Sequence, residues 1–196
     1  MLSDRQHALS HPHAGTLHIF TFKKGLLSRL AHDLRVSVPH FDVELREGKV
    51  RASFDVLSAR VDGVVDGERV DPARFSKQDT DIIERNLRDG VLSAARFPAV
   101  ELEGEVRASV GDAWTLHGRL TMVGRTLELD VPVVRVGSDL VAEVELKPSL
   151  WGIAPFTTMG GAIGIEDRWR VRVKLALGGY TPPQLLRHAG VVRWGG

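Results

Sequence analysis

Residues 114–133 read WTLHGRLTMVGRTLELDVPV, and apolar and polar side chains alternate through both halves of the stretch. Trp114, Leu116, Leu120 and Met122 share one phase, with Thr115, His117, Arg119 and Thr121 in the other. After Val123-Gly124, the residues Leu127, Leu129, Val131 and Val133 oppose Thr126, Glu128 and Asp130. Successive side chains on a strand point to opposite faces, so each half predicts a strand with one oily and one charged face. A two-residue loop at Val123-Gly124 then fixes the pairing. Leu120 meets Leu127 and Leu116 meets Val131 on the apolar face. On the polar face Arg119 meets Glu128, His117 meets Asp130 and Thr121 meets Thr126. Each such cross-strand pair contributes roughly 0.2–1 kcal/mol, and the complementarity at every outer position supports the hairpin.

The same period runs outward in both directions. Upstream, Val100, Leu102 and Val106 alternate with Glu101, Glu103 and Glu105. Downstream, Leu140, Ala142, Val144 and Leu146 form one run, and Ile165, Trp169, Val171, Val173, Leu175 and Leu177 another. A Gly137-Ser138 loop would pair Val133 with Ala142, Val131 with Val144 and Glu128 with Lys147. It would also set Asp130 near Glu145, which counts against that register. Five such runs between Ala99 and Leu177 make an antiparallel sheet whose apolar faces must meet, as a closed barrel or as a sandwich.

Earlier in the chain, Thr16 to Phe22 reads as a strand, Lys24 to Ala31 as a two-turn helix, and His32, Leu34, Val36 and Val38 resume alternation. Phe41–Leu45 and Gly48–Val56 form a further hairpin, with Val50, Ala52, Phe54 and Val56 inward. The period changes at FSKQDTDIIERNLRDGVL, residues 75–92, where Ile83, Leu87 and Val91 fall four apart. That spacing predicts an amphipathic helix capped by Ser76 with Asp79 and ended near Gly90, covering one opening of the sheet.

With 196 residues the chain suits one domain. Its 26 basic and 25 acidic side chains leave a net charge of +1, and no basic cluster is interleaved with aromatics, so no nucleic-acid partner is expected. The absence of cysteine excludes disulfides and thiolate metal sites. His7, His11, His13 and His18 hint at metal binding, but of an adventitious kind, and neither a metal nor a cofactor is expected. No apolar run reaches the ~20 residues of a membrane span. The polar start, MLSDRQHALSHPHAGT, lacks the apolar core of a secretory signal. The expected location is therefore the cytoplasm, or the periplasm if a leader has been removed.

Four pieces together resemble the YceI-like family: FKKGLLSRLAHDLRV (Phe22–Val36), VLSAARFPAVELEG (Val91–Gly104), the hairpin at Trp114–Val133, and LWGIAPFTTMGGAIGIEDRWRVRV (Leu150–Val173). Their order and spacing carry the likeness. It implies an all-β, lipocalin-like fold: an antiparallel closed β-barrel of about eight strands, with one short helix and one longer helix covering its ends. It implies an isoprenoid quinone, polyprenyl chain or similar amphiphile in the interior. Two features depart from the family: the missing secretion signal, and a tail that continues past the expected end of the barrel. The chain accordingly divides into a flexible segment 1–14, a lipid-binding barrel 15–177 and a tail 178–196.

The residues alone support a slender apolar tunnel, because large inward residues (Trp114, Phe54, Trp169) alternate with small ones (Ala52, Gly104, Gly118, Ala142) that leave room. The expected ligand-binding set is Leu34, Val36, Ala52, Phe54, Leu102, Leu116, Leu120, Leu129, Val131, Ala142, Val144, Trp169 and Val171. Trp151 and Phe156 are expected at the mouth. His32 is either a satisfied core histidine or a head-group contact. No catalytic constellation is present, so the chain reads as a non-enzyme. The competing readings are a protein-interaction module with a filled barrel, and a small barrel enzyme using His32 and Asp167. Residues Val191 to Trp194 would cover the opening, pair with a sheet edge in a homodimer, or stay mobile.

Overall fold

The computed structural model describes residues 13–24, 32–158 and 163–196. Of the short helix expected over Lys24–Ala31 only Lys24 is described, as the last residue of a strand; residues 25–31 and most of segment 1–14 lie outside the described residues. Thirteen strands are described: β1 (His13–Lys24), β2 (Leu34–Ser37), β3 (Phe41–Arg46), β4 (Lys49–Asp55), β5 (Arg60–Asp66), β6 (Arg69–Asp71) and β7 (Ala99–Val110). They continue with β8 (Ala113–Met122), β9 (Arg125–Val136), β10 (Asp139–Leu146), β11 (Thr157–Thr158), β12 (Ile163–Ala176) and β13 (Val192–Gly195). Two α-helices, α1 (Lys77–Arg85) and α2 (Pro182–Arg187), complete the elements that matter here.

The strand order β12-β10-β9-β8-β7-β4-β3-β13-β1 returns to β12 through a β1–β12 ladder running from Gly15–Leu175 to Lys24–Gly164. Nine of the described strands therefore close a barrel, and β2, β5 and β6 branch from the edge of β1 beyond the stretch that β13 occupies. Every joint in the ring is antiparallel except β13–β1, which is parallel. The count of nine, against the expected eight or so, comes from the tail. Instead of covering an opening, pairing with a second copy or staying mobile, Val192–Gly195 inserts between β3 and β1 of its own chain.

The β8–β9 hairpin has the anticipated register, Leu120 opposite Leu127 and Leu116 opposite Val131. Outside, His117 Nδ1 lies 2.7 Å from an Asp130 oxygen, and the Thr121 and Thr126 hydroxyls are 2.8 Å apart. Arg119 stands opposite Glu128, but its guanidinium donates instead to Glu103 on β7. The β9–β10 ladder starts in the expected register and stops at Val133–Ala142, so Val131 and Val144 do not pair. Beyond that point β10 continues only against β12, which keeps Asp130 out of register with Glu145.

Ser76 caps α1, accepting from the Asp79 N–H while the Asp79 carboxylate accepts from the Ser76 N–H. The α period does not persist to Val91. Asn86–Val91 forms a π-helical turn, closed by the Leu92 N–H donating to the Leu87 carbonyl at 3.0 Å. The wider turn rotates the stripe so that Leu87 and Leu92, five apart, both face the interior. Glu84 is buried and anchors the helix: its carboxylate accepts from the Val61 N–H at 3.0 Å and from Arg88 at 3.4 Å.

At the other end α2 seals the base. Leu185 and Trp194 are each only 1 % exposed and pack with Leu17, Val43 and Val192. The Trp194 indole N–H donates to the Ala176 carbonyl at 2.7 Å. Removing a buried tryptophan leaves a large void, at about 3–5 kcal/mol. Trp194→Ala is expected to lower the unfolding free energy by that amount in urea titration; a change below ~1 kcal/mol would mean that β13 is not part of the folded wall.

Candidate functional site

The inward phase of nearly every barrel strand converges on one internal cavity of about 230 Å³. An apolar void of roughly 150 Å³ takes up a guest the size of benzene, so this larger one has room for part of a hydrocarbon chain. Its wall is almost wholly hydrocarbon because the inward phase of each long strand is apolar along the stretch that borders it, and the charged residues in that phase, Arg125 and Arg135 at the ends of β9 among them, stand off the wall. Two apolar clusters bound it. One, around Leu185 and Trp194, floors the cavity; the other, around Leu92, Leu120, Met122, Leu146 and Trp169, closes the opposite half.

Of the expected ligand-binding residues, twelve stand on this wall: Val36, Ala52, Phe54, Leu102, Leu116, Leu120, Leu129, Val131, Ala142, Val144, Trp169 and Val171. Four do not. Leu34 is buried but lies off the cavity wall, between Thr21 and Val64 on the neighbouring strands. Trp151 sits in the 3-10 turn Pro148–Trp151, fully packed, with its indole N–H donating to the Leu120 carbonyl at 3.1 Å; it is a wedge behind the wall. Phe156 is 41 % exposed and not in the cavity. His32 is half-buried with its ring edge-on to Phe75 at 5.7 Å, outside the lumen.

Asp167, the acid considered alongside His32, also points elsewhere. Its carboxylate accepts from the Ser149 N–H at 2.9 Å and from the Ser149 hydroxyl, and these bonds, with Lys147 nearby, outweigh the effect of burial and hold its pKa below the ordinary value. Among the described residues no group of three His, Asp or Glu side chains is arranged to hold a metal. No described helix is long and apolar enough to cross a membrane.

The small inward residues divide into two kinds. Ala52 and Ala142 do leave space on the wall. Gly104 and Gly118, directly opposed across β7 and β8, do not. A Cβ on Gly104 would sit 2.5 Å from the His117 carbonyl oxygen and 2.8 Å from the Gly118 Cα, so backbone already fills that volume.

A YceI-like domain profile matches residues 28–177. The chain belongs to the YceI-like domain family. Among solved structures, Burkholderia cenocepacia BcnA superposes with a TM-score of 0.55 at 15% identity, over 82% of this chain and 94% of that one. A polyisoprenoid binding domain from Saccharophagus degradans, implicated in plant cell wall breakdown, superposes with a TM-score of 0.54 at 12% identity, over 85% and 96%. At these identities the likeness is one of fold. No curated protein matches the chain. In this YceI-like chain the matched span leaves out β1 and β13, both of which complete the barrel wall.

Sequence reasoning missed cavity residues of three sorts. Leu17, Ile19 and Thr21 share one phase of a segment that reads as a strand, so alternation alone was enough to find them. Leu92 is reached only through the π turn, and Pro182, Leu185, Leu186 and Trp194 only through the insertion of the tail.

On the outer face of β1, His18 is half-buried between Arg35, Asp62 and Arg172. Burial first, then the Arg35 and Arg172 guanidiniums, lower its pKa below the ordinary 6.5, with Asp62 opposing. The folded protein thus holds the His18 proton less tightly than the unfolded chain, and the unfolded state binds more protons just below 6.5. Stability is therefore expected to fall on acidification from about pH 7 through that range. Urea midpoints measured against pH are expected to show this slope flattened in His18→Asn; an unchanged slope would assign the effect to another group.

Proposed function

We propose that the protein binds and carries a slender, long-chain apolar molecule inside its barrel, without transforming it. The observation that carries this reading is the closed ring around a cavity with a hydrocarbon wall contributed by strands throughout the barrel. Burying ten methylene units there contributes a gross ~8 kcal/mol, at about 0.8 kcal/mol each. Because about 8 kcal/mol corresponds to roughly 1 μM, ordering the chain and losing its free motion leave micromolar affinity at most from hydrocarbon alone. An isoprenoid quinone, a polyprenyl chain or a similar amphiphile suits such a bore. The structural neighbour from Saccharophagus degradans, described as polyisoprenoid-binding, supports that class.

Native mass spectrometry of protein purified under mild conditions, followed by organic extraction, is expected to recover a long-chain lipid or to register added isoprenoid. A barrel that stays empty under both conditions would end the proposal. Ala142, on β10 between β9 and β12, lies on the cavity wall, where a larger side chain projects into the bore. Ala142→Phe is expected to weaken isoprenoid binding at least about tenfold while costing ~1–3 kcal/mol of stability from overpacking. Equal binding by a folded Ala142→Phe variant would place the ligand elsewhere.

A further inference from the structure

One side chain on the cavity wall contradicts its surroundings. Thr21 is 7 % exposed and lies in the inward phase of β1 with Leu17 and Ile19, opposite Trp169 on β12 and Leu34 on β2. Among the described residues lining the cavity it is the only one bearing a hydroxyl, amide or ionisable group. Its hydroxyl is buried and has no hydrogen-bond partner. Buried hydroxyls are nearly always satisfied, because an unmet donor and acceptor forfeit their hydration with nothing in return. Valine has the same shape, favours strands at least as well and would avoid that penalty. The protein therefore places on the cavity wall a threonine whose hydroxyl is buried and left unanswered by its own atoms.

Resting on the reading of the barrel as a carrier of a long apolar chain, we propose that the Thr21 hydroxyl hydrogen-bonds a neutral oxygen function of the luminal ligand. The bound molecule is thus an amphiphile with a ketone, quinone, ester or alcohol oxygen buried in the half of the lumen near Trp169. The hydroxyl donates to a carbonyl, or both donates to and accepts from an alcohol. A phosphate or carboxylate is disfavoured there. No cation lines the cavity among the described residues, and desolvating an anion without a counter-ion exceeds what one hydroxyl returns. The site selects a neutral head and rejects a charged one.

The test uses two chains of equal carbon number, methyl undecyl ketone and tridecane, each displacing a neutral fluorescent dye from wild type, Thr21→Val and Thr21→Ser. Thr21→Val is expected to weaken ketone binding roughly tenfold, and tridecane by less than about twofold, since one hydrogen bond is lost from the first complex only. Thr21→Ser, which keeps the hydroxyl, is expected to retain most of the ketone affinity. Thr21→Val should melt no lower than wild type, and Thr21→Ala carries the same comparison if the valine variant does not accumulate. If tridecane binds but the substitutions move both probes alike, or neither, Thr21 makes no contact with the ligand oxygen and this inference fails alone. A result in which neither probe binds any of the proteins overturns it together with the carrier reading.

Discussion

Backbone hydrogen bonding between β1 and β12 is the contact on which the rest of the molecule depends. An open sheet with one oily face must find another layer to cover it, and its edge strands must be protected from pairing with other chains. Closing the ring removes both requirements in one step. The oily faces turn inward on each other, and the ring strands have partners on both sides. Curvature then produces a consequence that a flat sandwich lacks: inward side chains radiate toward an axis, and those that are small or short of the axis leave a bore.

The two ends of that bore are managed by different means. At one end an amphipathic helix is turned by a π segment until Leu87 and Leu92 both face inside, and Glu84 ties it to β5 through the Val61 N–H. At the other, the last residues of the chain supply both a floor, α2, and a wall strand, β13. The parallel β13–β1 joint is short, with His13 and Ala14 facing Trp194 and Gly195. Its strength comes from Trp194, whose ring is buried and whose N–H is satisfied by Ala176. Outside, cross-strand pairs such as Arg172–Glu143 and Lys174–Asp139 give the surface its polar character. Being open to water on at least the basic side, each contributes only about 0–1 kcal/mol, so they guide register more than they hold the barrel shut.

The lumen combines an apolar wall with one unanswered hydroxyl, and that contrast separates this interior from an ordinary core. A core is filled by complementary packing, and its polar groups are matched internally. Here void and hydroxyl occur together, near Trp169. A guest of hydrocarbon with a neutral oxygen would satisfy both. His18, whose pKa is lowered first by burial, lies on the outer face of β1, away from the bore.

Local alternation was enough to determine which face of each long strand turns inward, because the strand period is two whatever the sheet becomes. Hence Val36, Phe54, Leu102, Leu116, Val144 and Val171 were all identifiable from the residues as inward, and the β8–β9 register followed from its turn. What alternation cannot carry is information about neighbours far away in the chain. That Val192–Gly195 forms the ninth wall strand depends on β3 and β1 leaving a gap of the right width. That Gly104 and Gly118 admit backbone rather than ligand depends on how closely β7 and β8 approach. That Trp151 leaves the mouth depends on the 3-10 turn at Pro148–Trp151 seating it behind the wall, while Phe156 stands exposed just ahead of β11. The void itself is decided only by the closed tertiary structure, since an empty volume is a property of the side chains that fail to meet, and no residue encodes it alone.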